Sequence, residues 1–115
     1  MAAKEDVEKY LKDLKVKISI YDIYFLDDRG KNQQALSDLE ISPDDRKSII
    51  SKLTVKDYSD GPLPEKMRGI LPIWIFGKEI KAKEVYIKIS MGAENDKAIC
   101  ISFHIAEFPM KYPFK

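Results

Sequence analysis

Residues 84–105 constrain this chain most, because both of their halves alternate in the way of paired strands. In residues 84–90, Val85, Ile87 and Ile89 fall on one face and Glu84, Tyr86, Lys88 and Ser90 on the other, since successive strand side chains point opposite ways. In residues 98–105, Ile99, Ile101, Phe103 and Ile105 share a face and leave Cys100, Ser102 and His104 opposite. The polar, Gly-containing segment 91–97 closes the arms into an antiparallel hairpin. Pairing Ser90 near Ala98 sets Lys88 opposite Cys100, Tyr86 opposite Ser102 and Glu84 opposite His104. A two-residue slip keeps the same faces. One side of the hairpin is therefore apolar. The other gathers a phenol, an ammonium, a hydroxyl, a carboxylate and the only imidazole of the chain.

Upstream, residues 3–17 carry Val7, Leu11 and Leu14 at helical spacing, with Tyr10 and Ile18 on the same side. That spacing predicts an amphipathic helix laid on a sheet. Residues 18–26, rich in Ile, Tyr and Phe, predict a strand. Residues 27–32 read as a turn and lack the alternating acidic positions of a calcium loop. Residues 32–39 predict a short helix burying Ala35, Leu36 and Leu39. Ser42-Pro43-Asp44-Asp45 marks a further helix start: a hydroxyl to take backbone N–H groups, a proline suited to the first helical position, and two acids at the positive dipole end. Ile49, Ile50 and Leu53 form its buried side. Residues 54–58 read as a strand, 61–72 as a loop with three prolines, 73–76 as a strand and 77–83 as a bridge into the hairpin. Residues 105–115 hold two prolines and read as an extended tail whose aromatic side chains are tied down on the surface. Helix, strand, two helices and then several strands make residues 1–115 a single α+β domain. The expected architecture is an antiparallel sheet with helices packed on one face and the other partly open.

Composition narrows the class. With 44% hydrophobic and 34% charged residues the chain reads as a soluble globular protein. No run approaches the roughly 18 apolar residues of a membrane span. The acidic, helical start differs from a basic leader with an apolar stretch, so a cytoplasmic protein without a membrane partner is expected. The lone Cys100 has no disulfide partner within the chain and no neighbouring cysteine for a metal. Net charge is +1, unevenly spread: residues 1–60 hold 11 Lys/Arg against 13 Asp/Glu, and residues 61–115 hold 9 against 6. The positive excess lies in the half that contains the hairpin. A Gly-rich phosphate loop, Cys/His metal spacing and a serine-hydrolase elbow are all absent from the sequence, so neither a metal nor a cofactor is expected.

The polar face of the hairpin is the remaining place for chemistry. An imidazole such as His104 serves as general acid or base near neutral pH. Lys88, with Lys78, Lys81 or Lys83 nearby, can hold a phosphate and stabilise a developing oxyanion. Tyr86 can donate a proton or stack on a base. Lys66 and Arg68 add cations in the proline-rich loop. Metal-independent RNA cleavage, in which a 2′-hydroxyl attacks the neighbouring phosphate, needs this set of groups. On the strand pattern alone the same side chains also read as ordinary surface.

Four stretches carry a family resemblance: Leu53-Thr54-Val55-Lys56-Asp57-Tyr58, then Trp74, then Val85-Tyr86-Ile87-Lys88-Ile89, then Ile99-Cys100-Ile101-Ser102-Phe103-His104. Together they resemble the MqsR family of bacterial type II toxin–antitoxin toxins. The resemblance implies a RelE-like fold, metal-independent cleavage of mRNA, and silencing by a cognate antitoxin protein. Tyr86 falls on the essential tyrosine of the family. A catalytic lysine after the Ser-Phe pair falls on His104, one basic group replacing another, and Lys88 completes the catalytic set. The family's lysine after the Asp-aromatic pair meets Asp60 or Gly61, and its glutamine after Trp meets Ile75. Lys66, Arg68 and Lys78 are then the RNA-binding cations. The expected function is an endoribonuclease toxin. The alternatives are a non-catalytic module of the same fold that binds RNA or a partner protein, and an unrelated small α+β enzyme.

Overall fold

The computed structural model describes residues 1–27, 30–64 and 71–115. Helix α1 (Lys4–Tyr21) buries the expected stripe of Val7, Tyr10, Leu11, Leu14 and Ile18. It runs past residue 17, where a strand was expected, because Ile18 continues the stripe and its burial outweighs the local β preference. Asp22, at φ 74, then turns the chain, its N–H still donating to the Ile18 carbonyl at 2.8 Å. Strand β1 is reduced to Ile23–Phe25.

Helix α2 (Gly30–Leu39) buries Ala35 and Leu39 and leaves Leu36 half-buried. Helix α3 (Pro43–Ser51) starts as its sequence predicts. The Asp45 N–H donates to Ser42 Oγ at 3.3 Å, and the Ser42 N–H donates to the Asp45 carboxylate at 2.8 Å. This reciprocal cap satisfies two otherwise orphan donors. Ile50 and Leu53 are fully buried. Arg46 of α3 is buried too. Its guanidinium donates to both Asp27 oxygens, at 2.7 and 3.0 Å, and lies 4.0 Å over the Phe25 ring, pinning the end of β1 to the helix.

The expected strand over 54–58 is instead a 3-10 turn, Val55–Asp57, whose Asp57 carboxylate accepts the Thr54 N–H at 2.9 Å. Strand β2 (Tyr58–Leu63) follows and carries Gly61 and Pro62 through part of the expected loop. Glycine is required there: at φ 112, a Cβ on residue 61 would lie 2.7 Å from the Ile73 carbonyl oxygen. Most of the expected bridge 77–83 is strand as well. β3 (Ile73–Ile80) and β4 (Lys83–Ser90) meet at a two-residue turn, Lys81-Ala82, with φ 51 and 67. Strand β5 (Ala98–Ile105) completes the sheet in the order β1-β5-β4-β3-β2. β2 to β5 pair antiparallel, but β1 joins β5 in parallel, so the sheet is mixed and not purely antiparallel. The long connection through α2 and α3 permits that parallel pairing.

Helices α1, α2 and α3 pack on one sheet face, over Phe76, Val85, Ile87, Ile89, Cys100 and Phe103. Cys100 is a correction to the expected faces. Ser90 pairs with Ile99 and Ile89 with Cys100, one residue from the expected register, and a one-residue slip reverses the sides. Cys100 therefore turns to the helices, and Ile99 and Ile101 turn away from them to pack with Ile73 and Ile75 on the opposite face. Ile101 is the extra residue of a bulge. Beyond it Lys88 pairs with Ser102, Ile87 with Phe103 and Tyr86 with His104, and the expected sides are restored.

Buried Asn32 of α2 holds this bulge. Its Nδ2 donates to the Leu26 carbonyl at 2.9 Å and the Ile101 carbonyl at 3.0 Å, and its Oδ1 accepts the Phe103 N–H at 3.0 Å. β1 stops at Phe25, so one side-chain amide stands in as the neighbour of β5. Among the described residues, no helix is long and apolar enough to cross a membrane.

Candidate functional site

The face away from the helices carries a cleft of about 570 Å³. Its floor comes from three adjacent strands: Ile75 of β3, Tyr86 of β4 and His104 of β5. One wall is Ser59 and Asp60 of β2; the other is residues 106–111, which follow β5.

Tyr86 and His104 are direct cross-strand partners. Their rings stack, with centroids 5.3 Å apart and planes inclined by 20°. The two-residue shift caused by the longer loop and the bulge makes this contact, in place of the expected Tyr86–Ser102 and Glu84–His104 pairs. His104 Nδ1 lies 3.0 Å from the Ile105 carbonyl oxygen. A carbonyl only accepts, so Nδ1 carries the hydrogen in this contact. Burial raises the Tyr86 phenol above its ordinary pKa, and the nearby Asp60 charge raises it further. The pair thus sets a phenol held protonated beside an imidazole whose Nδ1 lies against a backbone carbonyl.

Lys88 shares this face, two residues along β4 from Tyr86 and opposite Ser102 and Ile75. It stands beside the cleft and is not part of its lining. Lys78 pairs with Val85, which puts it on the helix side of the ladder, and its Nζ lies 3.4 Å from the Asp57 carboxylate. The structure does not bring it to Tyr86 and His104. Lys66 and Arg68 lie outside the described residues. Among the described residues, no group of three or more His, Cys, Asp or Glu could hold a metal ion.

Several residues of the site were not singled out by sequence reasoning. In the sequence Asp60 marks only a position where the family's lysine is missing, yet it lines the cleft from β2. Glu107 lines the opposite wall, and its carboxyl is held below the usual range chiefly by hydrogen bonding and charge from Lys31, with a smaller contribution from His104. Phe108, Pro109 and Met110 supply apolar surface beside them. Gly77 of β3 admits the close approach of Tyr112 just beyond this wall, but as part of an expected bridge it gave no strand signal.

The fold and site together define a small α+β domain with a cleft on the helix-free face of its sheet. No family model, no curated protein and no solved structure matches the chain.

Proposed function

We propose that this chain is an endoribonuclease of the type II toxin kind, with a RelE-like fold, acting in the cytoplasm on mRNA and neutralised by a cognate antitoxin protein. The observation that carries the reading is the stacked Tyr86–His104 pair on the cleft floor. The resemblance of the hairpin to the MqsR family supports it, as does the order helix, strand, two helices, then antiparallel strands.

In this reading RNA lies along the cleft with a phosphate over the ring pair. His104 Nε2 takes the proton of the 2′-hydroxyl, and the 2′-oxygen attacks phosphorus. The bond to the 5′-oxygen breaks, leaving a 2′,3′-cyclic phosphate on one product and a 5′-hydroxyl on the other. Tyr86, held protonated, donates to the phosphate oxygen or the departing 5′-oxygen. Lys88 neutralises charge that builds on the phosphate. Labelled RNA incubated with the purified chain in EDTA tests this. Cleavage with cyclic phosphate ends is expected, and intact RNA refutes the assignment.

Asp60 favours a second reading. Its carboxylate on the cleft wall repels phosphate and suits a cationic segment of a partner protein. In that case the same face is a binding module without cleavage. Stable capture of a basic peptide in the cleft, with RNA left intact, would select it.

A further inference from the structure

The segment after β5 returns across the cleft face of the sheet. The Ala106 N–H donates to the Glu84 carbonyl at 2.9 Å. Glu107 pairs with Lys31 of α2. Further on, both oxygens of one carboxylate seat the chain: the Met110 N–H donates to Glu84 Oε1 at 3.2 Å, and the Tyr112 hydroxyl donates to Glu84 Oε2 at 2.7 Å. The Phe114 ring then stacks on Tyr58, centroids 5.6 Å apart. Gly77 makes room for this path, since a Cβ there would lie 2.2 Å from the Tyr112 hydroxyl oxygen.

Residues 106–111 are one of the two walls of the cleft. Without them Tyr86 and His104 would sit on an open sheet. The seat is the Glu84 carboxylate with the apolar packing of Met110 and Phe114, while Phe108 at the cleft rim is 78% exposed. A segment held in this way opens at lower cost than the strands beneath it.

We propose that residues 106–115 form a strap that governs access to His104, with Glu84, Gly77 and Tyr112 as its seat. The strap opens and closes over the cleft while the five-stranded sheet stays intact. These three residues position the wall and have no part in the chemistry. The assignment holds for any ligand the cleft accepts, so it does not depend on RNA cleavage.

His104 is the only histidine in the chain, which supplies a readout independent of activity. Carbethoxylation by diethyl pyrocarbonate, located by mass spectrometry, reports imidazole access. The rate is measured for the wild-type chain, Gly77→Ala, Tyr112→Phe and the double variant, with amide hydrogen exchange in parallel. Loss of the Tyr112–Glu84 hydrogen bond in Tyr112→Phe, and displacement of the Tyr112 ring by the added Cβ in Gly77→Ala, should each speed His104 modification roughly three- to tenfold. The double variant should exceed the stronger single variant little, because both act on one seat. Exchange should quicken over residues 106–115 and stay at the wild-type rate in β4 and β5. Unchanged His104 reactivity in both single variants overturns the proposal, even if the strap amides exchange faster. Equal acceleration across β4 and β5 also overturns it, since the sheet would then be loosening as a whole. Absence of RNA cleavage would count against the proposed activity and leave the strap result standing.

Discussion

Tyr86 and His104 divide the proposed chemistry by what each ring is able to give. The Ile105 carbonyl fixes the imidazole with its hydrogen on Nδ1, and burial with the Asp60 charge keeps the phenol protonated. Because the folded-state pKa of Tyr86 is raised, its contribution to stability is complete below the ordinary phenol value of about 10 and is lost as pH rises through the raised value. A pH–rate profile should therefore show no loss of the Tyr86 donor below about pH 10. Replacing the imidazole by an amine, whose ordinary pKa is about 4 units higher, should keep a basic group but move the rising limb of the His104→Lys profile to alkaline pH. An unshifted limb would mean that residue 104 does not transfer the proton. Both rings were legible in the sequence because strand alternation put them on the polar face. Asn32 was not. Its role depends on a bulge 69 residues away, which no local pattern announces. Asn32→Ala should cost about 1–3 kcal/mol in denaturant unfolding, because it strands the Ile101 carbonyl and the Phe103 N–H.

At the scale of elements, the hairpin was readable and its register was not. Alternation tells which residues share a side only while the strand is regular, and the bulge at Ile101 exchanges the sides of Ile99 and Cys100. The extension of α1 through Tyr21 shows the opposite failure. Ile and Tyr favour strands, but Ile18 lies on the buried helical stripe and packing decided the outcome. The β3–β4 turn escaped notice because Lys81 and Ala82 take positive φ, where Asn and Gly are the usual signals. Ala82→Gly should therefore stabilise the fold by about 0.5–1 kcal/mol, seen as a higher denaturation midpoint with an unchanged slope. By contrast the Ser42 cap was readable outright, since its hydroxyl, the following proline and the two acids all act within one turn.

The described residues join these parts into one arrangement: helices α1, α2 and α3 on one sheet face, and on the other a cleft between β2 and the returning strap. The α+β class followed from the order of the elements. The cleft did not, because its second wall is an irregular segment with no periodicity, placed by the Glu84 carboxylate and the bare backbone at Gly77. Among the described residues, the cleft walls carry Asp60, Glu107 and Lys111, with Glu107 paired to Lys31, while Lys78 is turned to Asp57. The central claim is that Tyr86 and His104 together cut RNA at this cleft. Its most direct test is single-turnover cleavage of labelled RNA in EDTA by the wild-type chain, His104→Ala and Tyr86→Phe, each first shown to keep the wild-type melting temperature. The wild-type chain should cleave, and each variant should be slower by roughly 100- to 10,000-fold. Cleavage by both variants at the wild-type rate would contradict the account.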